Sequence, residues 1–158
     1  MKMELNAKDE LIRLTHKLIQ QRRLEFLVDT RWHDELPKAG GVYAIWEKQT
    51  REAVAVYVGE TCCLEHRFAD LDHTRNHPFL GKAAEYLELS RGDEHLKPQI
   101  SQSYCISYLE LDFGRKELEE YLVLRWKPKF NKTPGRLKFN THYGWLTDNN
   151  HCASNDQQ

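Results

Sequence analysis

The stretch from Gly41 to Arg67, GVYAIWEKQTREAVAVYVGETCCLEHR, leaves a chain that contains it few ways to fold. Two short runs rich in β-branched and aromatic residues, Val42 to Trp46 and Val54 to Val58, flank a polar segment from Glu47 to Glu52, which predicts a β-hairpin. A turn centred near Thr50 sets Tyr43 opposite Tyr57 and Ile45 opposite Ala55, with both phenols on one face because side chains alternate along a strand. Gly59 then permits a sharp exit from the second strand, Thr61 caps the helix that follows, and Leu64, Phe68 and Leu71 fall at i, i+4 and i+7 on one stripe. Arg67 stands one position off that stripe. From there it leans back toward the strand ends, where two phenols and a helix start would meet a phosphate.

The 158 residues suffice for one domain with its own core and are too few for two ordinary ones. Four cysteines without paired spacing, no signal peptide and no apolar run of ~20 residues point to a soluble protein of a reducing compartment, the cytoplasm. A net charge of −1 gives no general attraction for nucleic acid, so any phosphate-binding potential must be local. Such a cluster exists. Between Arg125 and Lys138 lie Arg125, Lys127, Lys129, Lys132, Arg136 and Lys138 with no acid among them.

Ahead of Gly41, residues 1–39 predict a helical extension, starting near Lys8 with Asn6 as cap and Leu11, Leu14 and Leu18 on one stripe. It can pad the core, pair two subunits, or lie along nucleic acid through Arg22 and Arg23; padding is the first choice. Beyond Arg67, Pro78 opens a second helix with Phe79, Leu80, Ala83, Ala84 and Leu87 on its buried side. Ser90 to Gln99 reads as a charged loop, and Ser103 to Leu111 as a third strand. A third helix runs from about Arg115 to Trp126, ended by Pro128. Its turns bring Glu119, Val123 and Trp126 together, so the Glu119 carboxylate is partly desolvated and needs a companion. The plain companion is Arg115 or Lys116; Glu117 and Glu120 read as solvated helix surface. After Pro134-Gly135, His142 to Trp145 can pack back and Asn149 to Gln158 frays. The fold class is mixed α/β.

The words Gly41-Val42-Tyr43 and Tyr57-Val58-Gly59, followed by Arg67, resemble the signature of the GIY-YIG nuclease superfamily. The segment Leu118 to Asn131, LEEYLVLRWKPKFN, is similar to that family's closing motif: a glutamate in an apolar helix, then proline, a basic residue, an aromatic and asparagine. Spanning about Gly41 to Asn131, the resemblance implies a three-stranded antiparallel sheet flanked by helices, with a nuclease core over residues 40–132 and a C-terminal extension over 133–158. It implies Tyr43 as the base, Tyr57 as an orienting hydrogen bond, Arg67 on the scissile phosphate and Glu119 as the ligand of Mg²⁺ or Mn²⁺, with Glu60, His77 and Asn131 in support. DNA is the expected partner, reached through Arg75, Lys82, Lys127, Lys129, Lys132 and Arg136. A homodimer is expected only if the enzyme restricts a palindrome.

The chemistry fits these residue types. Phosphodiester hydrolysis needs an activated water, charge stabilisation on the phosphoryl oxygens and help for the departing alkoxide. One carboxylate suffices for Mg²⁺, which keeps waters and takes substrate phosphate oxygens. Arg67 offers a planar, always charged fork; its plain alternative is a salt bridge to Asp70 or Asp72. A phenol is a poor base unless Arg67 and the metal lower its pKa. Glu60 departs from the pattern, since excision-repair relatives carry lysine after the tyrosine-glycine word. It can be a further metal ligand, face solvent, or signal a different proton route through His66, His73 or His77. Cys63-x-x-His66 and His73-x-x-x-His77 have zinc-like spacing, but no second cysteine pair completes a site, and Cys62 and Cys63 read as small buried or half-buried residues. The rival from another class is an inert nucleic-acid or protein binding module on the same scaffold, motivated by Glu60 and the near-neutral charge.

Overall fold

The computed structural model describes residues 7–29, 31–72 and 77–131. Outside them fall the Asn6 cap, His73, Arg75, Lys132, Arg136 and everything expected of the chain from 132 onward. Helix α1 (Ala7–Gln20) buries Leu11, Leu14 and Leu18 as the spacing predicts. Strands β1 (Gly41–Glu47) and β2 (Ala55–Thr61) form the hairpin, and α2 (Leu64–Asp72) buries Leu64, Phe68 and Leu71. Helix α3 (Pro78–Tyr86) starts on the expected proline. Helix α4 (Leu96–Ser103), strand β3 (Tyr104–Glu110) and helix α5 (Arg115–Trp126) complete the described chain.

The class is mixed α/β, with one antiparallel sheet in the order β2-β1-β3. Central β1 is covered on both faces, so alternation sorts its side chains into two cores. Tyr43 and Ile45 join Phe68, Phe79 and Ile106 on one side; Val42, Ala44 and Trp46 join Leu18 of α1 and Leu118 and Leu122 of α5 on the other. Padding is thus what α1 does. Its exit extends this role, since Leu24 pairs with Ile106 and covers part of β3's outer edge. Arg23 turns inward, its guanidinium 3.7 Å above the Trp46 ring and donating to Ser107 Oγ at 2.8 Å.

Three expectations are corrected. The hairpin register pairs Tyr43 with Gly59 and Ile45 with Tyr57, two residues from the expected partners, because the turn is centred between Thr50 and Arg51 and a bulge between Ile45 and Trp46 adds one residue more on β2. A shift of two preserves the face, so the phenols stay together, their ring centroids 6.1 Å apart. Gly59 is paired within β2 rather than ending it. Its role is space, since a Cβ there would lie 2.5 Å from Tyr43 Cζ and Oη. The supposed loop up to Gln99 contains the start of α4, where Pro98 sits in the first turn, whose N–H groups have no helical acceptor to lose. Among the described residues no helix is long and apolar enough to cross a membrane.

Candidate active site

Tyr43 sits at 1% exposure beneath α2 and α3, its ring edge-on to Phe68 at 5.2 Å. Its hydroxyl lies 2.8 Å from Nε2 of His77. His77 is the N-cap of α3, and its Nδ1 accepts the Phe79 N–H at 3.2 Å. That bond needs a lone pair on Nδ1, so the neutral ring carries its proton on Nε2 and donates it to Tyr43 Oη. Burial, helped by the Arg67 charge, pushes the His77 pKa down to about 3, which keeps the ring neutral.

The remaining groups converge along the open edge of β2. On that edge Val56 O accepts the Phe130 N–H at 3.0 Å. Two residues on, the Asn131 amide donates to Val58 O at 2.7 Å and accepts the Val58 N–H at 2.8 Å, imitating a paired strand. Two further, the Glu60 N–H bonds to the Glu119 carboxyl. The helix that carries Glu119 covers the opposite face of the sheet from Tyr43, yet this edge brings the carboxyl round to the phenols. Glu119 raises the pKa of both Tyr43 and Tyr57, and Arg67 lowers all three. Tyr43, Tyr57, Arg67, Glu119 and His77 therefore share one electrostatic neighbourhood.

Burial dominates that neighbourhood. It raises Tyr43 well above the ordinary phenol range and Tyr57 to about 12. The expected downward pull of Arg67 is present on both, but desolvation outweighs it. Glu119 rises to about 7, first through burial and then through the nearby Glu60 carboxylate. Among the described residues Arg67 makes no ion pair, and the side chain of Asp72 is engaged instead by Trp32 Nε1 at 2.9 Å and His33 Nε2 at 2.7 Å.

Other expected residues land differently. Glu60 pairs with Arg115, Nε to Oε2 at 3.4 Å, so Arg115 serves Glu60 rather than Glu119. Glu120 is not on the solvated surface: it is 4% exposed and neither carboxyl oxygen has a hydrogen-bond partner among the described residues. The reason is that α5 packs against β1, β2 and α1, so its covered arc exceeds one stripe. Lys129 is drawn to Glu47 at 2.6 Å and over the Tyr86 ring at 4.5 Å, Lys82 pairs with Glu85 at 3.4 Å, and Lys127 caps α5 in an exposed left-handed conformation. His66 and Cys62 are exposed and Cys63 is half-buried. Among the described residues no three His, Cys, Asp or Glu side chains are grouped to hold a metal. Sequence reasoning missed the Glu60–Arg115 pair, which joins a strand end to a helix start 55 positions away and leaves no local spacing signal. No family model, curated protein or solved structure matches the chain.

Proposed function

We propose that the chain is a GIY-YIG-type endonuclease that hydrolyses DNA phosphodiester bonds with one divalent metal ion, Mg²⁺ or Mn²⁺, through Tyr43, Tyr57, Arg67 and Glu119. One observation supports this above the rest: two phenols and a guanidinium from one face of the sheet share a neighbourhood with a carboxyl delivered round the edge of β2 from the other.

Glu119 suits such an ion. It is a hard oxygen ligand whose own charge is disfavoured by burial and by Glu60, so a cation beside it relieves both. When bound, the metal supplies Lewis acidity to the phosphoryl oxygens and stabilises the departing alkoxide. Arg67 forks onto the scissile phosphate and holds it in line with the attacking water. Tyr43 orients that water, its oxygen held by the bond from His77 Nε2; with the Arg67 charge and a bound cation to offset its burial, the phenol would release its own proton to solvent and the phenolate would then take the water's. Tyr57 holds the water or phosphate from the neighbouring strand. Asn131 acts through β2, keeping the edge straight that carries Tyr57 and the Glu60 N–H.

The inert-module reading draws on the height of the Tyr43 pKa, and cleavage separates the two. Labelled DNA is expected to be cut with Mg²⁺ or Mn²⁺, not with chelator, and at least ~100-fold more slowly by folded Arg67→Ala and Glu119→Gln proteins. DNA binding without any product, in wild type with either metal, would leave the module.

A further inference from the structure

Phe113 is the most exposed large apolar residue among those described, at 90%. It lies in the connection 111–114 between β3 and α5. Because Gly41 pairs with both Thr61 and Glu110, this connection is at the same end of the sheet as Glu60 and the start of α2. The turn is anchored. Leu111 N donates to Gly40 O at 2.9 Å, and Arg115 Nη1 donates to Leu111 O at 3.2 Å and Asp112 O at 2.6 Å while its Nε faces Glu60. Gly114, at φ +79°, makes the left-handed step that an L side chain resists and turns the chain into α5. Four residues of helix, ~6 Å, and two of connection, at most ~7 Å, separate Phe113 from Glu119, so the Cα atoms lie within ~13 Å.

A lone exposed apolar residue is ordinary. A bare phenyl ring on a pinned turn, a few nucleotides' reach from a phosphate-cutting centre, is a more particular thing. It has no charge for the phosphate backbone and no donor for a base edge; its one asset is a π face, and a paired base inside a duplex has no free face to offer. We infer that Phe113 stacks on an unpaired nucleobase close to the scissile bond, and that the substrate is DNA that is single-stranded or locally unpaired there. This rests on the nuclease reading.

The test uses the full chain in chelator, so nothing is cut, with oligonucleotides carrying 2-aminopurine at successive positions. Wild type is expected to change the fluorescence at one or two adjacent positions. Phe113→Ala should lose that change and bind single strands ~10-fold more weakly with duplex binding unaltered, and Phe113→Trp should restore both. Equal melting temperatures of the variants exclude misfolding. Undiminished single-strand binding by Phe113→Ala, or an equal loss on duplex, overturns the inference. The two readings fail separately: Phe113-dependent stacking without cleavage in metal sinks the nuclease alone, and cleavage indifferent to Phe113 sinks the stacking alone.

Discussion

Glu120 is a carboxylic acid held at 4% exposure with neither oxygen hydrogen-bonded among the described residues. Burial and then Glu117 raise its pKa from 4.5 to about 7. Between those values the folded protein binds more protons than the unfolded chain, so stability is lost as pH rises through this window. Glu119 acts in the same sense, and His77, held down to about 3 from 6.5, acts in the opposite one, its share lost as pH falls below 6.5. Replacing Glu120 by glutamine keeps the shape and deletes its titration. Glu120→Gln is therefore expected to exceed wild type in stability by about 1–3 kcal/mol at pH 8, with the difference shrinking as pH falls below 7 and largely gone at pH 4.5. Urea unfolding at the two pH values measures it; a pH-independent difference would contradict the burial. The sequence puts this residue on the surface with Glu117, and three acids within four positions carry no mark of which one a second helix will cover.

At the scale of elements, the legible parts were those written in local periodicity. The stripe Leu64, Phe68 and Leu71, the proline at the start of α3 and the paired tyrosine words each encode one element from its own residues. What one element does to another was less legible. Asn131 reads locally as a residue after a helix, and only the open edge of β2 reveals that it completes a strand's hydrogen bonds 73 positions away. The Tyr43 and Tyr57 pairing failed for the same reason, since a bulge is set by how two strands twist together. Asn131→Ala leaves the N–H and the carbonyl of Val58 without their partner. The expected cost is about 1–3 kcal/mol in denaturant unfolding, with faster hydrogen exchange at the Val58 amide than at Val42. Asn131→Asp keeps the acceptor for Val58 N–H, loses the donor to Val58 O and should fall between. An unchanged Val58 exchange rate in the alanine variant would remove the edge clamp, and with it the account of how Glu119 is brought to the phenols.

At the scale of the molecule, the question is where the folding unit begins. The motif similarity starts at Gly41 and makes residues 1–39 look like an appendage. Physically α1 within them closes the second core: Leu18 is fully buried with Val42, Ala44 and Trp46, faces that β1 cannot hide by itself. A polar lock holds the junction, where Ser107 Oγ accepts from both Arg23 and Trp46 Nε1 and lies 3.5 Å from the Leu18 carbonyl. Without this segment the sheet would expose an apolar face and the part of β3's edge that Leu24 covers, an invitation to aggregate. A chain starting at residue 40 is accordingly expected to be insoluble or to lack a cooperative unfolding transition, and Leu18→Ala in the full chain to cost about 2–5 kcal/mol. Were the extension merely attached, residues 40–158 would unfold at the denaturant midpoint of the whole chain and Leu18→Ala would cost almost nothing. On the nuclease reading the same comparison bears on cleavage, because Glu119 reaches β2 from α5, and α5 packs beside α1 on one face of the sheet. Leu18→Ala should then weaken cleavage only through the fraction of protein unfolded, and recover full activity per folded molecule.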